Sequence, residues 1–116
     1  MKTYLEKVKE RRRKIAKILR RELRQETIRL IHLLLSEDFK FKKIYLFGSL
    51  IKDKPLSPWS DIDLAIEGLS PGMFYKAYAC LLKNSRFSVD LKPFEELNTS
   101  IKERIIKEGE VIYEKG

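Results

Sequence analysis

The sequence predicts a mixed α/β (α+β) domain in which helices flank a small mixed β-sheet. Three observations support this fold class. A long N-terminal stretch without Gly or Pro has apolar residues at helical spacing, two later stretches alternate between apolar and polar residues, and a helical segment lies between those two. The predicted order is helix, strand, loop, strand, helix, strand, helix and a short closing strand. A chain of 116 residues has room for one such domain.

The first 36 residues are predicted to form a basic amphipathic segment, as one long helix or two in sequence. Residues 1–30 carry 12 Lys or Arg and 4 Asp or Glu, whereas residues 31–116 carry 13 of each, so the whole net charge of +8 lies at the start. The segment is favoured to dock on a partner protein, with phosphate contacts to nucleic acid or simple covering of the sheet as alternatives. Its apolar positions are Leu5, Val8, Ile15, Leu19, Leu23, Leu30 and Leu34.

The strands follow after a break at residues 36–39. "KKIYLF" (42–47) is apolar on both faces, which is typical of a strand inside a sheet. In "SDIDLAI" (60–66) and "RFSVDLK" (86–92) apolar residues alternate with polar ones, so that one face of each strand is buried. "VIYE" (111–114) is expected to be a short edge strand.

Two further helices are predicted from their start and stop residues. The first begins at Pro71 and continues to about Lys83. The second is a helical region that starts at Pro93, is capped by Asn98 or Thr99 and ends at Gly109, which is expected in the left-handed conformation.

Composition also excludes several classes of protein. The single Cys80 permits no intrachain disulfide and no cysteine metal cluster, which favours a reducing cytoplasm. The longest apolar run, "LIHLLL" at 30–35, is far shorter than a membrane span, and the charged N-terminus lacks a signal-peptide pattern. We therefore expect a cytoplasmic protein without membrane contact.

Three aspartates are the candidate catalytic and metal-binding residues. Asp61 and Asp63 are two residues apart on a predicted strand, so they project from one face and repel one another. Asp90 has the same alternation phase on the next predicted strand. A hard divalent cation such as Mg²⁺ would relieve the repulsion and could organise displacement at phosphorus. For a D-x-D pair by itself, the alternative is a solvated strand face.

Phosphate-binding candidates lie beside these aspartates. Gly48 ends a predicted strand and lets backbone approach a phosphate closely, while the Ser49 hydroxyl and the amides of a following turn can hold phosphate oxygens. Ser60 directly precedes the first aspartate and could orient it. Trp59 either fills a packing gap, the commoner role, or stacks on a nucleotide base.

Together, "FGS", "SDIDLAI", "VDL" and "IKERIIKEGEVIYE" resemble the minimal nucleotidyltransferases of the polymerase-β superfamily, over residues 40–114. The resemblance implies that this part, assigned to residues 37–116, has the polymerase-β-like fold and uses ATP with Mg²⁺ as its cofactor. It implies that Asp61 and Asp63 bind Mg²⁺ and that Asp90 acts as a third ligand or as a base. Gly48 and Ser49 would hold the triphosphate, with Ser60 beside them. Relatives carry Arg, and often Gly, soon after this Gly-Ser pair, and Lys52 is the candidate for the missing positive charge.

The resemblance also implies a partner. Small members of the superfamily are commonly antitoxins encoded beside a HEPN-domain ribonuclease toxin, and some transfer AMP to a tyrosine of that toxin. The expected function is therefore such an AMP transfer. The alternatives are a non-catalytic module that masks its partner, and a catalytic subunit of a small-molecule or nucleic-acid nucleotidyltransferase. Homo- and hetero-oligomers both stay open, and nucleic acid is not favoured as a partner.

Overall fold

The structure is a computed structural model that describes residues 1–48, 51 and 56–116. It confirms the mixed α/β class, with helices around a four-stranded sheet. Two candidate site residues, Ser49 and Lys52, lie outside the described residues. The elements are α1 (Tyr4–Ser36), β1 (Lys43–Phe47), β2 (Ile62–Glu67), α2 (Phe74–Asn84), β3 (Val89–Pro93), α3 (Thr99–Glu108) and β4 (Glu110–Glu114).

The sheet has the strand order β3-β2-β1-β4. β1 pairs antiparallel with both β2 and β4, which confirms the prediction that this strand lies inside the sheet. β2 and β3 run parallel and are joined by a crossover that contains α2. Because they are parallel neighbours, the aspartates near their two starts come to the same end of the sheet.

The two faces of the sheet differ in what covers them. Ile62, Leu64 and Ile66 of β2 are buried in the main core beneath α1 and α2. On the opposite face Ala65 belongs to a smaller core, which α3 supplies with Ile105. The predicted alternation is therefore confirmed, and the odd-numbered residues of β2 lie on the face that carries α3.

The N-terminal segment is a single helix, which settles the choice between one helix and two. It begins with a capping box: the Thr3 hydroxyl accepts a hydrogen bond from the Glu6 amide, and the Glu6 carboxylate accepts one from the Thr3 amide. Its buried residues, which begin at Leu23, all lie in the second half, whereas most residues before Leu19 are exposed. The helix is about 50 Å long, and its first half contributes to the elongated 59 × 31 × 24 Å envelope.

A buried carboxylate joins α1 to the turn that leads into β3. The Glu26 side chain is 3% exposed and accepts two hydrogen bonds from the Arg29 guanidinium, at 2.6 and 2.8 Å. It also accepts the backbone N–H of Arg86 at 2.6 Å, and Arg29 donates to the Asn84 carbonyl at 2.6 Å. These contacts position the segment directly before Asp90.

The ends of the later helices differ from expectation in two places. Pro71–Met73 forms a short 3-10 turn, so that α2 itself begins at Phe74. Asn98 caps α3, as predicted, by accepting the Ile101 amide at 2.8 Å. The left-handed conformation predicted for Gly109 is wrong, because its φ is −80°. A side chain there would instead crowd the Ile105 carbonyl, 2.5 Å from an added Cβ.

Within the part of the chain that the structure describes, no helix combines the length and the continuous apolar character that crossing a bilayer would require.

Candidate active site

Asp63 and Asp90 are direct neighbours across β2 and β3. The parallel register pairs Asp63 with Asp90, and the next pair along the strands is Leu64 with Leu91. Paired residues of adjacent strands project from the same face, so both carboxylates lie on the side that carries α3. Asp61 is exposed and directly precedes β2, two residues before Asp63, so all three aspartates are located at one end of the sheet.

Burial and neighbouring charge make Asp63 an unusual carboxyl group. Its pKa is raised to about 6, first because it is partly withdrawn from water and then because Asp90 and Asp61 repel its negative charge; Lys92 opposes this. A carboxylate pushed in this direction gains from a nearby cation. A cation bound near Asp63 would therefore stabilise the site.

Asp90 is held by two residues that sequence reasoning did not assign to the site. Lys92 Nζ donates to Asp90 Oδ2 at 2.9 Å, and this ion pair raises the pKa of Lys92 and keeps it charged. The Tyr78 hydroxyl lies 3.2 Å from the Val89 carbonyl and 3.5 Å from Asp90 Oδ1. The alternation of "VDLK" places Lys92 on the face of Asp90 and could have identified it. Tyr78 is on α2, and no local pattern links it to the strand.

Gly48 lies against the central aspartate. β1 ends at Phe47, which is paired with Asp63, and Gly48 follows with a positive φ of 78°. A Cβ added at Gly48 would collide with the Asp63 carboxylate oxygen and come within 3.0 Å of its Cγ. Both the backbone conformation and the available space therefore require glycine, which leaves the backbone bare beside the carboxylates.

Two other candidates, Trp59 and Ser60, lie in the loop before the aspartates. The Ser60 hydroxyl accepts the Ser57 amide at 3.0 Å, and the Ser60 amide donates to the Ser57 carbonyl. Ser60 thus closes a turn directly before Asp61. Trp59 is 86% exposed, which excludes the role of a packing plug.

The carboxylates suit a hard cation, although they do not form a complete metal site. Among the described residues, no three His, Cys, Asp or Glu side chains are grouped closely enough to hold a metal ion. The fit comes from the donor set: two paired carboxylates, a third whose charge acts on Asp63, and the raised pKa of Asp63. Oxygen donors of this kind are those that Mg²⁺ binds together with water and phosphate.

Two cavities lie beside the sheet, at different ends of it. One of about 250 Å³ lies between Gly48 and α3. Another, of about 470 Å³, lies between Phe74 and Tyr75 on one side and Glu95 and Glu96 on the other. It is lined by Ile66 and Pro93, which are paired at the opposite end of β2 and β3 from the aspartates. The smaller cavity is therefore the one that adjoins the carboxylates.

Comparison with known proteins supports the fold. A solved structure described as "Crystal structure of the toxin-antitoxin with AMP-PNP" superposes with a TM-score of 0.60 at 23% sequence identity, covering 78% of this chain and 73% of that chain. At this identity the likeness concerns the fold. No curated protein matches the chain. Residues 29–116 match the family described as "Polymerase beta, Nucleotidyltransferase". The match covers most of the chain, which therefore belongs to the polymerase β nucleotidyltransferase family.

Proposed function

We propose that the protein transfers AMP from ATP to a hydroxyl group of a partner protein, with Mg²⁺ as the cofactor. The observation that carries the proposal is the pairing of Asp63 with Asp90 beside the bare backbone of Gly48. This arrangement supports a metal held by the carboxylates beside backbone that a phosphate could approach. Asp61 and Asp63 are the proposed metal ligands, and Asp90 is the third ligand or the base.

The reaction balances without any further reactant. A hydroxyl oxygen of the acceptor forms a bond to the α-phosphorus of ATP while the bond from that phosphorus to the bridging oxygen breaks, and pyrophosphate leaves. Bound Mg²⁺ would neutralise charge that develops on the phosphate oxygens. Asp90 would accept the hydroxyl proton, and Lys92 and Tyr78 would hold its carboxylate in place. Gly48, Ser49, Ser60 and Lys52 are proposed to contact the nucleotide.

The proposed partner is a HEPN-type ribonuclease toxin, the acceptor is a tyrosine of that toxin, and the protein acts as its antitoxin. Support comes from the solved structure of similar fold, which is described as a toxin-antitoxin with AMP-PNP. In this proposal residues 37–116 form the catalytic unit and residues 1–36 form an accessory helix. The single Cys80 suits the reducing cytoplasm in which such a pair would act.

Two labels on ATP distinguish this reaction from phosphorylation. The protein and its co-expressed partner are incubated with Mg²⁺ and ATP labelled on either the α- or the γ-phosphate. AMP transfer puts the α-label, and not the γ-label, on the partner. Transfer of the γ-label, or α-labelling that survives both Asp61→Asn and Asp63→Asn, would contradict the proposal. Asp38→Asn, in the turn after α1, is a control that should leave transfer unchanged.

A non-catalytic masking module is the second candidate, and the exposed half of α1 favours it. This half exposes Leu5, Ile15 and Ile18 within a strongly basic stretch, which would suit an acidic partner surface with an apolar centre. If masking is the mechanism, Asp63→Asn will still neutralise the partner, whereas deletion of residues 1–18 will weaken the complex. If catalysis is required, Asp63→Asn will fail to neutralise even when the complex still forms.

A further inference from the structure

Within the described part of the chain, the carboxylates at the Gly48 end of the site have one neighbouring cation, Lys92. The carboxylates of Asp61, Asp63 and Asp90 repel phosphate oxygens, and the described cation beside them, Lys92, is already paired with Asp90. Phosphate-binding sites commonly use a Lys or Arg in addition to backbone amides. An element other than the loop that carries Lys52 can add positive charge to such a site.

We infer that Arg104 of α3 binds the β- or γ-phosphate of the nucleotide. This inference rests on the proposed use of ATP and adds a residue to that site. The inference starts from the 250 Å³ cavity between α3 and the turn at Gly48. Of its described lining residues most are apolar, and α3 adds two charged side chains. These described residues are Phe47, Gly48, Ile51, Ile101, Arg104, Ile105 and Glu108.

Gly48 is shared by the cavity and the carboxylate cluster. It lines the cavity and at the same time lies against Asp63. Ile51, which donates its amide to the Gly48 carbonyl at 3.3 Å, lines the cavity too. A nucleotide with its α-phosphate near Asp63 can therefore extend its outer phosphates past Gly48 into the space that Arg104 borders.

Arg104 is suited to receive a ligand. Among the described residues that line the cavity it is the only cation, and within residues 1–48, 51 and 56–116 no ion pair to it is recorded. Its side chain is exposed, whereas its neighbour Ile105 anchors the helix in the core. The anchored helix fixes the position from which the guanidinium extends. Two parallel N–H groups of that guanidinium can bind a terminal phosphate in a bidentate manner.

Arg104 acts in this inference as a binding residue for the leaving group. Its contact would favour ATP over AMP, because AMP lacks the outer phosphates. Lysine would restore the charge but lose the bidentate geometry. Lys107 is a matched control, since it is an exposed cation on α3 that does not line the cavity.

The test measures affinity for ATP and for AMP, each with Mg²⁺, by titration calorimetry on the full chain. Arg104→Gln should weaken ATP binding by about 10- to 100-fold, as expected for loss of a charged hydrogen bond, and should leave AMP binding unchanged. Arg104→Lys should recover part of the loss, and Lys107→Gln should bind ATP like the wild type. Unchanged unfolding midpoints will show that the variants fold.

The outcomes separate this inference from the proposed function. If the wild type binds ATP and Arg104→Gln binds it equally well, or loses ATP and AMP affinity alike, the inference is overturned and the proposed function is untouched. If the wild type binds ATP through Arg104 but never transfers AMP to the partner, the proposed function fails and the inference is supported. A wild type that binds no ATP overturns both.

Discussion

Asp63 of β2 and Asp90 of β3 are paired residues of adjacent parallel strands. Two carboxylates on one face of a sheet repel one another, and burial raises the free energy of the charged form of Asp63. An arrangement that costs stability in the absence of ligand is typical of a functional site. The pairing therefore leads to a prediction about folding stability as well as one about catalysis.

Asp63→Asn should stabilise the metal-free protein at neutral pH. The folded-state pKa of about 6 lies above the ordinary 3.8, so the folded chain binds more protons than the unfolded chain between these values. The free energy of unfolding therefore falls as pH rises through this window, and the whole penalty is present above it. Replacing the carboxylate with an amide removes this penalty. It should raise the free energy of unfolding by about 1–2 kcal/mol at pH 7, after allowance for partial exposure.

The measurement is urea unfolding of both proteins in a chelator, at pH 7 and at about pH 4. The two proteins should differ at pH 7 and should converge at the lower pH, where Asp63 is largely protonated in the folded state. Asp61→Asn is the control, and it should have a smaller effect because Asp61 is exposed. Destabilisation by Asp63→Asn at pH 7 would show that the carboxylate is satisfied in the folded chain.

Gly48→Ala should destabilise the fold and abolish nucleotidyl transfer. A Cβ would be strained at a φ of 78° and would collide with Asp63. The conformational strain alone is worth about 1–2 kcal/mol. Gly72→Ala is the matched control, since an added Cβ there meets nothing within 4 Å. Equal unfolding midpoints and equal transfer rates for the two variants would contradict the described geometry of Gly48.

Glu26→Gln should destabilise the protein by about 2 kcal/mol at pH 7, because it breaks a buried charged network. The Arg29 hydrogen bond holds the pKa of Glu26 below its ordinary 4.5, in spite of burial. This stabilisation is therefore present above pH 4.5 and is lost as pH falls through the folded-state pKa. The wild type and Glu26→Gln should therefore differ less in free energy of unfolding at acid pH than at pH 7. Glu22→Gln, one turn earlier, should change stability by under about 0.5 kcal/mol.

The two halves of α1 should respond differently to truncation of an apolar side chain. Leu30→Ala should cost about 2–5 kcal/mol because Leu30 is fully buried in the core. Ile15→Ala should cost under about 0.5 kcal/mol, because Ile15 is 55% exposed. Thermal unfolding of the isolated protein measures both. A large loss of stability in Ile15→Ala would mean that the first half of the helix is packed in solution.

The fold was largely predictable because its strands alternate so regularly. "SDIDLAI" and "RFSVDLK" each have one buried face, and that phase placed Asp63 and Asp90 on one side before their pairing was known. The conformation of Gly109 was not predictable from its position after a helix. Its requirement for glycine comes from close approach of the Ile105 carbonyl, which only the folded chain reveals.

The candidate site was predictable in part. The aspartates and Gly48 belong to local motifs, whereas Tyr78 and Arg104 reach the site from helices distant in sequence. Their proximity depends on how α2 and α3 pack on the sheet, which no periodicity encodes. The roles of all the candidate site residues stay predictions: Gly48, Ser49, Lys52, Ser60, Asp61, Asp63 and Asp90.

Metal-dependent binding of an ATP analogue that cannot be cleaved between its α- and β-phosphates is the sharpest test of the proposal that the paired aspartates hold a metal-bound nucleotide. Titration calorimetry needs no partner protein. The wild type should bind the analogue in the presence of Mg²⁺ and much more weakly in a chelator. Asp63→Asn should remove this dependence on Mg²⁺ while it raises the free energy of unfolding. Equal binding by the wild type and Asp63→Asn, with the same response to Mg²⁺, would show that the paired aspartates do not hold a metal-bound nucleotide.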